Sequence, residues 1–219
     1  MIIDHTNKRY QLNCSWSKSN TIIHNGAYYY SKEIVENIIP RIDTDRNWIT
    51  IHIPGVACNH SIVFIHNNLH PERYEWLRRY DDLILVCGIP ETVDKVAHIG
   101  KAIYLPISVD VGYVQSFRSE KTRDVAFVGR QVKRRGVTLP DGIDYIESMP
   151  REQLLGLMAK YRSVYAVGRT AIEARVLGCE LLPYDPRFPD VSRWEILDNR
   201  DAAVMLQSAL DEIDGGRNG

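Results

Sequence analysis

Residues 163–185 read SVYAVGRTAIEARVLGCELLPYD. The opening SVYAV alternates small, aromatic and β-branched residues as a strand does, and it runs into Gly168. Residues 171–177 then carry a helical pattern that Gly178 closes, and the apolar run LLPY at 181–184 reads as a second strand. Strand, helix and strand in that order make a crossover unit, which places its two strands parallel. Working outward, VAFV (125–128) ends at Gly129, residues 143–146 suit another strand, and residues 151–161 suit a helix with Pro150 near its start. A helix over residues 199–213 is expected to close the pattern, with the tail DGGRNG expected to fray.

The first half repeats the pattern. TIIHNG (21–26) reads as a strand ending in a glycine turn, followed by a helix over 28–39 that Pro40 stops. WITIHI (48–53), SIVFIH (61–66), DLILVC (82–87) and AIYL (102–105) are further short strands, with helices at 71–80 and 90–99 between them. The alternation lapses only in the polar stretch SVDVGYVQSFRSEKTRD (108–124), which reads as a linker. The expected fold is α/β, with two small Rossmann-like doubly wound domains facing a cleft, residues 1–110 and 120–219.

The chain has 219 residues, 44% hydrophobic and 25% charged, a globular composition far from that of disordered or collagen-like chains. Its 27 Lys and Arg against 28 Asp and Glu give a net charge of −1, so no global field gathers nucleic acid or anionic lipid. The longest apolar run, 83–89, is too short to cross a bilayer, which takes about 20 residues, and residues 1–10 carry charge where a signal peptide is apolar. A cytoplasmic protein without a membrane span is expected. Cys14, Cys58, Cys87 and Cys179 are widely spaced and read as reduced core thiols. His66 and His70 have helical zinc spacing, but a strand before them and Pro71 after them place the pair across a loop, so no metal site is expected.

Two segments have the composition for chemistry. GRQVKRRG (129–136) follows a strand directly; Gly129 allows a sharp turn where open α/β sheets bind ligands, and Arg130, Lys133, Arg134 and Arg135 bring charge suited to a diphosphate. A solvated basic loop is the plain alternative, and neither GxGxxG nor a Walker loop is present. In GRTAIEA (168–174), Thr170 and Glu173 have capping-box spacing, which alone accounts for the glutamate. The helix also begins just after a strand, so its amides point into the same crevice, where Glu173 is placed to accept from a ribose diol.

These residues resemble the nucleotide-binding domain of GT-B fold glycosyltransferases of the retaining, EX7E-bearing type, over roughly the last 100 residues. The carrying residues are Gly129, Arg130, Arg135 and Gly136, then Gly168, Glu173, Ala174 and Gly178 before the strand LLPY. The resemblance implies that Arg130 and Arg135 hold the donor diphosphate, that Glu173 contacts the ribose, and that Thr170 and the helix amides lie near phosphate. Arg135 stands where the family has lysine, and Tyr165 where it has its upstream glutamate. In the first half, IVFIHNN resembles the element facing the donor sugar, which makes His66 the candidate at the reaction centre. His24, Asn25 and Gly26 resemble the loop beneath the donor phosphates.

The expected function is transfer of a sugar from a nucleotide-sugar co-substrate to an unknown acceptor, a glycan or small molecule before DNA, without metal and with no permanently bound cofactor. Two rivals stand beside it: a noncatalytic binder of nucleotides or nucleotide-sugars, and a transferase acting on modified DNA bases, to which residues 118–135 offer seven basic side chains.

Overall fold

A computed structural model of the chain describes residues 2–3, 11–14, 26–46, 48–51, 57–65, 71–129, 136–147, 149–183, 186, 188 and 190–215. They divide into two compact units. The first comprises residues 1–22, 31–107 and 200–219, and the second residues 23–30 and 108–199.

The first unit holds a six-stranded sheet made of β1 (Ile2–Ile3), β2 (Gln11–Cys14), β3 (Trp48–Ile51), β4 (Ser61–Ile65), β5 (Leu83–Cys87) and β6 (Lys101–Tyr104), side by side in chain order. β1 is antiparallel to β2, and every other neighbour is parallel. All five residues of β4 and of β5 are buried, as continuous apolar strands covered on both faces should be. On one face Val63, Ile65, Leu83, Leu85 and Cys87 pack with Leu77, from the 3-10 helix Pro71–Arg79, and with Val96, the last residue of α2 (Pro90–Val96). α1 (Gly26–Glu33) continues through a π-type turn, Ile34–Ile38, and a 3-10 turn, Ile39–Arg41. Gly26 therefore opens a helix, rather than closing the turn expected after a strand; residues 21–25 lie outside the described residues.

The second unit contains α3 (Val111–Gln115), β7 (Arg123–Val128), β8 (Asp144–Ile146), α4 (Arg151–Met158), β9 (Tyr161–Tyr165), α5 (Arg169–Val176) and β10 (Glu180–Leu181). Its sheet is parallel throughout, in the order β10-β9-β7-β8. α6 (Asn199–Gly215) follows, and residues 200–219 cluster with the first unit, although the sequence pattern groups them with the second half.

The parallel α/β class expected from the alternation is present in both units. Reversal of strand order, the mark of a doubly wound sheet, occurs in the second alone among the described residues. From β7 the chain steps to β8 on one side, then to β9 on the other side, with β10 beyond it. Among the described strands of the first unit the chain steps in one direction only.

The expected linker is a structured part of the second unit. Val109 bridges to Asp198, and Asp110 caps α3 by accepting from the Tyr113 amide at 2.8 Å. The stretch reads as polar because its side chains serve backbone groups elsewhere. Arg118 Nε donates to the Val176 carbonyl at 2.8 Å and Lys121 Nζ to the Leu177 carbonyl at 3.0 Å, so both cations sit at the negative end of α5.

Candidate functional site at the carboxyl ends of β7 and β9

An open α/β sheet binds ligands where its strand order reverses, at the carboxyl ends of the two strands that diverge. Here those strands are β7 and β9, paired with Phe127 opposite Tyr165. Gly129 follows β7, and Gly168 opens α5 just beyond β9. The two glycine-led segments singled out in the sequence therefore leave the sheet from adjacent strand ends. Arg130, Lys133, Arg134 and Arg135 lie outside the described residues, as does His66, which directly follows β4.

The capping box is not formed. Gly168 itself is the N-cap, with φ +59° and ψ −138°, and no side chain caps the helix. Thr170 is thus the second residue of the helix rather than its cap. The Glu173 carboxylate is taken by two guanidinium groups, against which one backbone amide is a weak competitor. Arg169 Nε donates to Glu173 Oε1 at 3.0 Å, and Arg151 Nη2 lies 3.0 Å from the same oxygen as an ion-pair contact. The three side chains are 4%, 11% and 5% exposed for Arg169, Arg151 and Glu173, so this is a buried cluster.

Side chains from α3, α4, α5 and residues 26–30 of α1, which belong to the second unit, meet at Arg151. Its guanidinium lies over the ring of Tyr29 from α1 at 5.4 Å and over that of Tyr113 from α3 at 5.3 Å. Its backbone amide, at the start of α4, donates to Tyr29 Oη at 3.3 Å. Tyr113 Oη donates to Glu152 at 3.3 Å; burial raises the pKa of this hydroxyl, Glu152 adds to the effect and Arg151 opposes it, so it stays a neutral donor. Tyr29, itself a residue of the second unit, is in this way tied to the cluster around Glu173.

A cavity of about 410 Å³ adjoins the site, within the roughly 300–1,000 Å³ usual for small-molecule pockets. It is lined by Ala166 and Val167, just before Gly168, by Leu181 and Leu182 at the end of β10, and by Phe188 and Val191. Arg175 of α5 donates to the carbonyls of the lining residue Val191, at 2.8 Å, and of Trp194.

Of the seven basic residues in 118–135, the three that are described, Arg118, Lys121 and Arg123, all have partners in the chain. Arg118 and Lys121 cap α5, and Arg123 bonds Tyr161 Oη at 2.9 Å and Asp144 at 3.3 Å. Among the described residues no group of three His, Cys, Asp or Glu side chains is arranged to hold a metal ion, and no helix is long and apolar enough to cross a membrane.

Gly168, Thr170 and Glu173 fall at the start of one helix, as their spacing implies, whereas Arg151 and Arg169 were not singled out by the sequence. Arg169 was legible as an i, i+4 partner of Glu173. Nothing local marks Arg151, whose part depends on the packing of α4 against α5. Compared with known proteins, the chain matches no family model, no curated protein and no solved structure.

Proposed function

We propose that the second unit binds a nucleoside diphosphate at the carboxyl ends of β7 and β9, and that the chain moves a sugar from the corresponding nucleotide-sugar to an acceptor, as GT-B glycosyltransferases do. The observation that supports this reading is the strand-order reversal, with Gly129 just after β7 and Gly168 at the start of α5 beyond the neighbouring β9. Departure of a nucleoside diphosphate builds negative charge on its phosphate oxygens. In this reading Arg130, Arg135 and the first amides of α5, Thr170 among them, stabilise that charge. The cavity beside Gly168 takes the nucleoside end. His66 is the candidate base for the acceptor, on the resemblance alone.

Tyr165 favours a second reading, a binder without turnover, since it occupies the position of the family's upstream glutamate at the last residue of β9. Thermal denaturation with ADP, GDP, UDP and their sugars tests the shared part, because a ligand of the folded state raises its apparent stability. A rise with at least one nucleotide is expected; none with any member overturns both readings. Arg130→Ala and Arg135→Ala should each weaken that binding by about 1.5–3 kcal/mol, as lost charge-assisted contacts, with stability changed by no more than about 0.5 kcal/mol. Release of free nucleoside diphosphate from the sugar donor in the presence of acceptors separates the transferase from the binder.

A further inference from the structure

Glu173 is the most specific residue of the resemblance, and its surroundings give it a different employment from ribose recognition. Its side chain is 5% exposed, and its Oε1 oxygen is held by two arginines. We infer that Glu173 is a positioning residue: through Arg169 and Arg151 it sets the first turn of α5 against α4, and so aims the amides that receive phosphate. This inference rests on the proposal that a diphosphate binds there.

The geometry supports it in three ways. α5 has no side-chain cap, because its N-cap is Gly168, so the direction of its first turn depends on what grips that turn from within. The grip is the pair Arg169–Glu173 at 3.0 Å together with Arg151, also 3.0 Å from the carboxylate. Arg151 is itself held, with its guanidinium over the Tyr29 and Tyr113 rings and its amide on Tyr29 Oη. A chain of contacts therefore runs from α1 and α3 through α4 to the first turn of α5. Disturbing it shifts the phosphate donors while leaving ribose contacts no more affected than phosphate contacts.

Inorganic pyrophosphate separates the two roles, because it has no ribose. Affinities for pyrophosphate and for the tightest of ADP, GDP and UDP are measured by calorimetry on the full chain and on Glu173→Gln, Arg151→Lys and the double variant. A positioning role predicts that each single variant loses the same factor, roughly tenfold, for both ligands, and that the double variant loses little more than either single, as members of one network do. A loss with Glu173→Gln confined to the nucleotide assigns the residue to the ribose and overturns the inference. An unchanged affinity for both ligands also overturns it. If Glu173→Gln does not fold, Glu173→Asp takes its place, keeping the charge but shortening the reach; equal losses for the two ligands support positioning, and a nucleotide-only loss contradicts it. A parent chain that binds neither probe removes the proposed function itself, an outcome distinct from any pattern among the variants.

Discussion

Gly168 joins β9 to α5 at a backbone conformation, φ +59° and ψ −138°, that side-chain-bearing residues essentially do not adopt. A Cβ built there meets nothing within 4 Å, so the demand for glycine is purely torsional. Gly100 is the opposite case: its Cβ would come within 2.8 Å of the Leu83 carbonyl oxygen, a steric conflict with β5. Gly168→Ala should therefore lower stability by about 1–3 kcal/mol in urea denaturation. It should also weaken pyrophosphate binding, since relief of the strain turns the start of α5. A variant as stable as the parent would mean that the turn relaxes freely and does not aim the helix. The need for glycine at this position was legible in the sequence, because a glycine between a strand pattern and a helix pattern marks a sharp change of chain direction that a side chain would resist. The fate of Glu173 was not. T-x-x-E is compatible with a capping box only if the threonine is the cap, and a glycine two residues earlier took that place.

At the scale of elements, α5 shows how local and distant sequence share one task. Its C-terminus is closed by Gly178 at φ +77°, with the Cys179 amide bonded to the Ala174 carbonyl and the Gly178 amide to that of Arg175. That Schellman closure was legible in the sequence as a glycine after a helical run. The cations from Arg118 and Lys121 on the adjoining carbonyls were not, since nothing in a polar stretch says which helix end it serves. β5 is legible from its own composition, because LILVC without alternation implies burial on both faces. That burial has a measurable consequence. It pushes the Cys87 thiol from 9.0 up to about 12, and it raises Cys179 as well, against the opposing effect of Lys121. The unfolded chain ionises Cys87 first, so its contribution to stability is complete below pH 9.0 and is lost as pH rises toward about 12. Cys87 costs at most about 1.4 kcal/mol per pH unit across that window. Tyr161 and Tyr113, also raised by burial, join the decline above pH 10.0. Urea denaturation of parent and Cys87→Ala between about pH 8 and about pH 10 should show the steeper fall in the parent; parallel slopes would mean that Cys87 is not protected from ionisation.

At the scale of the whole molecule, residues 200–219 return to the first unit, and an ion-pair network that reaches α6 sits at the amino ends of β3, β4 and β5. Arg46, with a fully buried side chain, lies two residues before β3 and reaches the Asp82 side chain and carbonyl, each at 3.0 Å, and Asp214 at 2.5 Å. Asp82 directly precedes β5 and also pairs with His60, which directly precedes β4, at 2.6 Å. Both Asp82 and His60 hold left-handed backbone, with φ 57° and 62°. Near the tail, the Asp43 amide donates to Gln207 of α6 at 2.6 Å. The helical pattern of α6 was plain in the sequence, but a periodic apolar stripe states that a helix packs, not on what it packs; its pairing with an arginine far upstream, through Asp214, was not legible. Arg46→Met should cost the first unit about 3–5 kcal/mol, the range for breaking a buried pair, and toward its lower end because Asp82 and Asp214 are 29% and 31% exposed and can be hydrated. Asp214→Asn should cost less, since Arg46 keeps Asp82. Pyrophosphate affinity, a property proposed for the second unit, should be unchanged in both variants. Equal destabilisation by the two substitutions would place the whole effect at the Asp214 contact, and a fall in pyrophosphate affinity would show that the end of α6 reports to the diphosphate site.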